Sequence, residues 1–281
     1  MPTEKENEAL SIIEEALAEY SPEEIFIGFS GGTDSLLVAD LVMRHMPESK
    51  IFHANTGIGI EKTRQYCRDY CADNNWDLVE IRAKEDCGQD YEEMVLANGF
   101  PGPAMHGKMY QRLKERCVRV LHRRYKKKRG NKIMLITGIR HDESQIRAGY
   151  ANRIVDVVGG VVWVNAVYWY TKQDKYDYIK RRGLKTNPVH DVLGMSGECL
   201  CGAFAHKGEL ELVRLIEPET AEYIEELQER VYKKWPWKWE EKMPKWFKDM
   251  SQGQTDAFYN WEDSDYFQPM CIGCGKTDGD D

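Results

Sequence analysis

Six consecutive residues, Ser30-Gly31-Gly32-Thr33-Asp34-Ser35, hold the densest set of anion-binding groups in the chain. They follow the apolar run Ile25-Phe26-Ile27-Gly28-Phe29 and precede Leu36-Leu37, so they sit where a buried strand gives way to a helix. Paired glycines let the backbone curl around an anion, and the amides there and at a helix N-terminus point toward it. Ser30, Thr33 and Ser35 add hydroxyls. Asp34 is unexpected beside phosphate unless it positions Mg²⁺ or orients the loop. No Gly-Lys-Ser/Thr follows, which excludes a Walker loop. The competing reading is an ordinary strand-to-helix turn capped by Asp34 or Ser35.

Cysteine is the second clue. Eight are present, and two compact pairs, Cys199-Leu200-Cys201-Gly202 and Cys271-Ile272-Gly273-Cys274-Gly275, are flanked by glycine. Such pairs suit a metal, because glycine lets amides turn toward sulfur. Cys199, Cys201, Cys271 and Cys274 alone would make a structural Zn²⁺ site. Cys117 lies in a basic segment. Cys67, Cys71 and Cys87 are read as packing residues, and His45, His106, His122 and His206 have no ligand spacing.

The elements that must position these groups alternate. Helical periodicity covers 6–20, strand character 25–29, helix 36–45 and strand 50–54, which make a βαβ unit. Helices are expected over 61–75, 91–97 and 111–128, with extended segments at 78–81 and 133–137. A hairpin is expected within 155–169, turning at Gly159-Gly160. This alternation predicts an α/β fold with a doubly wound, mostly parallel sheet and ligands at the carboxyl ends of its strands. From Gly208 the character changes to helices rich in Glu, Lys and Trp. We therefore divide the chain into a nucleotide-binding domain, 1–205, and a helical Cys-containing region, 206–281.

The chain of 281 residues, 42% apolar and 31% charged, is long enough to bury a sizeable core. The acidic start and the lack of a long apolar run predict no signal peptide, no membrane association and a cytoplasmic location, where thiols stay reduced. A net charge of −8 argues against indiscriminate polyanion binding. Yet Lys108 to Lys132 holds twelve Lys or Arg and one acid, Glu115, which suits either a solvated helix face or contact with DNA or RNA. Trp235, Trp237, Trp239 and Trp246 lie among lysines, and fit either base stacking or the anchoring of helices on the sheet.

The loop resembles the PP-loop of the ATP pyrophosphatase and PAPS (phosphoadenosine phosphosulfate) reductase superfamily. His53-Ala54-Asn55-Thr56-Gly57 resembles its Asp-Thr-Gly stretch, with Asn55 replacing the acid. Thr137-Gly138-Ile139-Arg140-His141-Asp142-Glu143-Ser144-Gln145-Ile146-Arg147 resembles its Gly-x-Arg-x-x-Glu-Ser-x-x-Arg stretch, and Asn187-Pro188-Val189-His190-Asp191 also matches. The resemblance, over about 25–205, implies an adenine nucleotide alpha hydrolase-like fold. It implies ATP or a related adenine nucleotide on Ser30 to Ser35, with Thr56, Gly57 and Gly138 nearby. Arg140 and Arg147 would lie over anionic oxygens, and Glu143 would orient one of them. In iron-sulfur members, a cysteine at the place of Cys117 and a pair after the Asn-Pro segment hold a [4Fe-4S] cluster. Here Cys117-Val118 stands where some relatives have adjacent cysteines, and the later pair is spaced CxC.

The loop favours ATP, because sulfonucleotide reductases usually change its end toward Glu-Asp. The combination of that loop with clustered cysteines resembles the DndC-like iron-sulfur branch, which acts in DNA phosphorothioation. The implied activity is ATP-dependent sulfur transfer, with a cysteine desulfurase or reductant protein as partner and Asp34, Arg140 and Cys274 as catalytic residues. The alternatives are a PAPS or adenylyl-sulfate reductase in which Cys274 attacks sulfur, and a non-catalytic nucleotide-binding module. Removing Asp34 and Ser35 together is expected to weaken ATP binding tenfold or more and to leave the fold intact.

Overall fold

The structure is a computed structural model that describes residues 2–141 and 154–250, with side chains as far as residue 247. The expectations for Glu143, Arg147, Cys271 and Cys274 lie outside the described residues. Six strands form one sheet in the order β3-β2-β1-β4-β6-β5. They are β1 (Ile25–Gly28), β2 (Lys50–Asn55), β3 (Leu78–Arg82), β4 (Ile133–Ile136), β5 (Val155–Val158) and β6 (Val161–Val164). All neighbours are parallel except β5 and β6, which pair antiparallel across the Gly159-Gly160 turn. The strand order reverses at β1, so the loop leaving β1 opens at the switch point where doubly wound sheets bind ligands.

Period-two side chains divide the core between the two faces. Phe26, Phe52, Leu135 and Trp163 point to one apolar cluster, and Ile27, Ile51, Ile136 and Val164 to the other. Two helices, α1 (Glu4–Tyr20) and α2 (Thr33–His45), cover the second face together with α3 (Glu61–Asp73) and, after β6, α7 (Lys172–Arg182). A Thr3–Glu6 capping box starts α1. Asp40 of α2 joins these helices, accepting from Tyr178 Oη at 2.6 Å and Arg182 Nε at 3.1 Å, and from Arg44 Nε at 3.2 Å.

The first face carries α4 (Tyr91–Asn98) and a long helical run. This run comprises α5 (His106–Tyr110), a π turn (Gln111–Glu115) and α6 (Arg116–Tyr125). The remaining helices are α8 (Pro188–Leu193), α9 (Glu209–Ile216), α10 (Pro218–Tyr232) and α11 (Lys245–Met250). Leu210, Val213, Ile224 and Leu227 share the apolar cluster of the first face with Phe26 and Phe52.

The structure decides between the two readings for Trp237 and Trp239, whereas Trp246 is exposed. Trp237 and Trp239 are each 1% exposed, and their indole N–H groups donate to Phe100 O at 2.9 Å and Leu200 O at 2.8 Å. Buried indoles with satisfied N–H groups anchor helices and are not available to stack on bases. No described helix is long and apolar enough to cross a membrane.

Candidate nucleotide site

The loop after β1 is shaped by its own residues. Ser30 N donates to Ser35 Oγ at 3.2 Å, and Ser35 Oγ donates to Gly32 O at 2.8 Å, so the last serine closes the turn from inside. Gly31 has φ +77°. A Cβ there would lie 2.9 Å from Thr63 Cγ2 and 3.1 Å from Cys67 Sγ, so both the backbone angle and the space require glycine. Gly32 is the N-cap of α2 and supplies no side-chain cap to its first turn. The positive end of a thirteen-residue helix therefore opens at the loop without a side-chain oxygen bonded to it.

Two cations converge on Asp34. Arg140 Nε donates to Asp34 Oδ1, and Lys175 Nζ lies 3.3 Å from Asp34 Oδ2. Both side chains are buried, at 5% and 3% exposure, and that of Asp34 is 20% exposed. Asp34 thus orients the loop by pairing with them, which accounts for an acid within a candidate phosphate loop. Gly138 permits this geometry, since a Cβ there would stand 2.7 Å from the Asp34 carbonyl carbon and oxygen. The chain leaving β4 presses on the start of α2 and delivers Arg140 to Asp34.

Beneath the loop lies a buried ionic cluster. His53 Nδ1 is 2.7 Å from Phe29 O, and its Nε2 is 3.1 Å from Glu198 Oε2. Arg64 Nε is 3.5 Å from the same oxygen. Thr56 donates its amide to Glu198 Oε1 at 3.0 Å and its hydroxyl to Glu198 O at 2.7 Å. Burial opposes charge on His53, but the Glu198 carboxylate outweighs it and holds the imidazole well above its ordinary value. Burial would likewise raise Glu198, but His53, Arg64 and the Thr56 amide hold it below the usual carboxylate range.

Thr56 therefore spends its polar groups on Glu198, while Gly57 (φ +76°) faces open space. Asn55 stands where the resembled motif has an acid. It accepts from Gly57 N at 3.0 Å and donates to Glu80 Oε1 at 2.7 Å, so it shapes the same turn without charge. Asn187 caps α8 and donates to Thr63 Oγ1 at 3.0 Å, which in turn donates to Ser196 O at 2.5 Å. That chain of bonds fixes the wall against which Gly31 fits.

Of the cysteines named as candidate ligands, Cys117, Cys199 and Cys201 lie within the described residues. Cys117 Sγ lies 3.7 Å from Cys87 Sγ. The buried Cys117 thiol is pushed up, first by its hydrogen bond with Cys87 and then by burial, whereas that same bond lowers half-buried Cys87. Cys87 is thus half of a dithiol and more than a packing residue. Cys201 is buried, and its carbonyl accepts from Tyr91 Oη at 2.9 Å. Among the described residues, no three His, Cys, Asp or Glu side chains are arranged to hold a metal ion. Cys117, Cys199 and Cys201 do not by themselves form a ligand set for [4Fe-4S] or Zn²⁺.

Four residues of the site escaped sequence reading: His53, Arg64, Lys175 and Glu198. His53 carried a faint signal, as a polar residue within the apolar strand run Ile51-Phe52-His53-Ala54. Lys175 carried none, because it reaches Asp34 across 141 residues.

A doubly wound α/β sheet with a glycine loop at its switch point, opening on an uncapped helix, defines a PP-loop type of nucleotide-binding protein. A profile of the phosphoadenosine phosphosulfate reductase domain matches residues 24–193, and the chain belongs to that family. No curated protein matches it. Among solved structures it is similar to the PAPS reductase from Candida auris in a phosphate complex, at 14% identity and TM-score 0.48, over 65% of this chain and 83% of that one. It is also similar to the NH3-dependent NAD synthetase from Campylobacter jejuni, at 17% identity and TM-score 0.48, over 87% and 99%. A third similar structure is the U34-tRNA thiolase NcsA from Methanococcus maripaludis with its [4Fe-4S] cluster, at 13% identity and TM-score 0.45, over 82% and 74%.

Proposed function

We propose that the protein is an ATP-dependent sulfur-transfer enzyme. The observation that carries this reading is the Ser30 to Ser35 loop. Its helix start has no side-chain cap and could receive an anion, and its Asp34 gathers Arg140 and Lys175 beside it. Such a loop neutralises polyphosphate charge, which is most of what phosphoryl and adenylyl transfer asks of a protein. Asp34-Ser35 at the loop's end favours ATP over a sulfonucleotide.

In the proposed reaction an acceptor oxygen attacks the α-phosphorus of ATP, the bond to the β-phosphate breaks, and pyrophosphate leaves. Sulfide then attacks the adenylated centre, forming its bond to sulfur, and AMP departs with the oxygen. Asp34 is already paired with two cations, so Mg²⁺ fits here on the nucleotide's own phosphate oxygens and would supply charge neutralisation. Cys117, Cys199 and Cys201, with Cys271 and Cys274 outside the described residues, are the residues that would hold a cluster, which would supply electrons or sulfur.

The test is pyrophosphate release from Mg-ATP, measured with candidate acceptors and sulfide under anaerobic conditions and beside sulfite release from PAPS and adenylyl sulfate. Acceptor-dependent pyrophosphate supports the proposal. Sulfite from a sulfonucleotide with no pyrophosphate from ATP replaces it with the reductase reading. Nucleotide binding without either product leaves a binding module.

A further inference from the structure

The helical run across the first face carries a row of cations that the nucleotide site does not use. Lys108, Arg112, Arg116, Arg119, Arg123 and Lys126 follow one another at steps of four, four, three, four and three residues, which keeps them on one side of a helix. The π turn at Gln111–Glu115 helps, because its wider turn brings residues four apart closer to one line. Apolar Leu113, Cys117, Val120 and Leu121 occupy the side packed into the core. From Lys108 to Lys126 the row is about 27 Å long at helical rise.

The second half of the row, Arg116 to Lys126, lies along a groove, and Lys108 and Arg112 continue the row beyond it. Arg116, Arg119, His122, Arg123 and Lys126 line a cavity of about 520 Å³ whose opposite wall is Trp163 and the Gly159 turn of the β5–β6 hairpin. Among the described residues no carboxylate pairs with Arg116, Arg123 or Lys126, whereas Arg119 is held by Glu115. Arg112 and Arg119 are near enough to Arg116 to depress its guanidinium, after burial, and Arg112 does the same to Lys108. Like charges aligned in a half-buried groove repel one another, and a chain with net charge −8 has acids to spare for neutralising them. An anion that fills the groove removes that repulsion.

The length of the row selects the kind of anion. At the 3.4 Å phosphate spacing of one strand, about 27 Å matches roughly eight phosphates, far more than one nucleotide presents. Topology sets its direction. The run precedes β4 and returns to it through a short loop, so it lies antiparallel to the strand. Lys108 is therefore at the carboxyl edge of the sheet, where Ser30 ends β1, and Lys126 at the amino edge.

We propose that this groove binds the phosphodiester backbone of a nucleic acid and leads it toward the nucleotide site. Taking that nucleic acid as the acceptor of sulfur rests on the proposed function, but the binding itself does not.

Binding is measured by fluorescence polarisation of a labelled 20-nucleotide RNA, the same DNA sequence single-stranded, and its duplex, between 50 and 200 mM salt. The full chain is compared with Arg116→Glu/Arg123→Glu and with Lys233→Glu/Lys234→Glu, a control on exposed lysines elsewhere. The expected result is about tenfold or greater loss in the first variant. Its slope of log affinity against log salt should be shallower by about 1.4 for a single strand. The control should bind as the unaltered chain, and all three should bind ATP equally by calorimetry. Preference among the three probes identifies which nucleic acid the groove takes.

Several results overturn the proposal: no binding by the unaltered chain, unchanged affinity in the groove variant, equal loss in the control, or binding only to vesicles of anionic lipid. Intact nucleic-acid binding without pyrophosphate release from ATP removes the sulfur-transfer reading and leaves the groove. Pyrophosphate release without nucleic-acid binding does the reverse.

Discussion

Replacing Asp34 by Asn tests the centre of the site, because it removes one charge and keeps the shape. In the folded protein Asp34 faces Arg140 and, at 3.3 Å, Lys175, and both cations are at least 95% removed from solvent. At an effective dielectric constant near 20, a pair 3.3 Å apart has a gross attraction of about 5 kcal/mol, and desolvation opposes it. Removing one partner of such a buried group costs about 3–5 kcal/mol, because the other charge is left without compensation. For a chain of this size that corresponds to a fall in Tm of very roughly 6–20 °C.

The assay is urea and thermal unfolding followed by tryptophan fluorescence, since Trp237 and Trp239 are buried and report loss of packing. The double variant Asp34→Asn/Lys175→Met should recover part of the loss, which a double-mutant cycle reads as coupling. Asp34→Asn within about 1 kcal/mol of the parent, or a double variant that recovers nothing, would refute the argument. The sequence-based expectation that Asp34 can be removed with the fold intact is revised by this geometry. Its loss should weaken ATP binding and stability together.

Three further outcomes are expected. Glu198→Gln should cost about 3 kcal/mol, the lower end for a broken buried pair, because His53 can discharge and Arg64 keeps Glu61 as a partner. Its pH dependence should change as well. The raised His53 contributes stability that is complete below about pH 6.5 and is lost as pH rises through its folded value. The lowered Glu198 contributes above about pH 4.5 and is lost on acidification. Both slopes should flatten in the variant, and unfolding at pH 4 to 9 checks this. Gly31→Ala should abolish ATP binding in calorimetry and lower Tm, since the residue needs φ +77° and its Cβ would crowd Thr63 and Cys67; tight binding would show the loop lies elsewhere. Iodoacetamide at pH 8 should alkylate Cys87 before Cys117, as peptide mass spectrometry reads, because Cys87 is half exposed and lowered while Cys117 is buried and raised. Faster labelling of Cys117 would contradict the paired geometry.

The sequence by itself determined the sheet and the place of its ligand loop. Strands and helices of clear period two and 3.6 fell within a residue or two of 25–29, 50–54 and 133–137, because each is an apolar run whose burial is decided locally. The Ser30 to Ser35 loop was legible for the same reason: glycine pairing and hydroxyls are properties of neighbours in the chain. The basic stretch from Lys108 was legible as composition, but its alignment along a groove was not, since the opposing β5–β6 wall comes from a later part of the chain.

Tertiary structure alone decided which charges meet. Lys175 and Arg140 reach Asp34 from 141 and 106 residues away, and Glu198 reaches Thr56 from 142. No local pattern marks such partners, because their pairing follows from the order in which parallel strands bring their carboxyl ends together. The same holds for sulfur. The family resemblance made Cys117 a candidate ligand beside the later pairs; its contact with Cys87 is decided by packing, because a helix can turn a side chain to either neighbour.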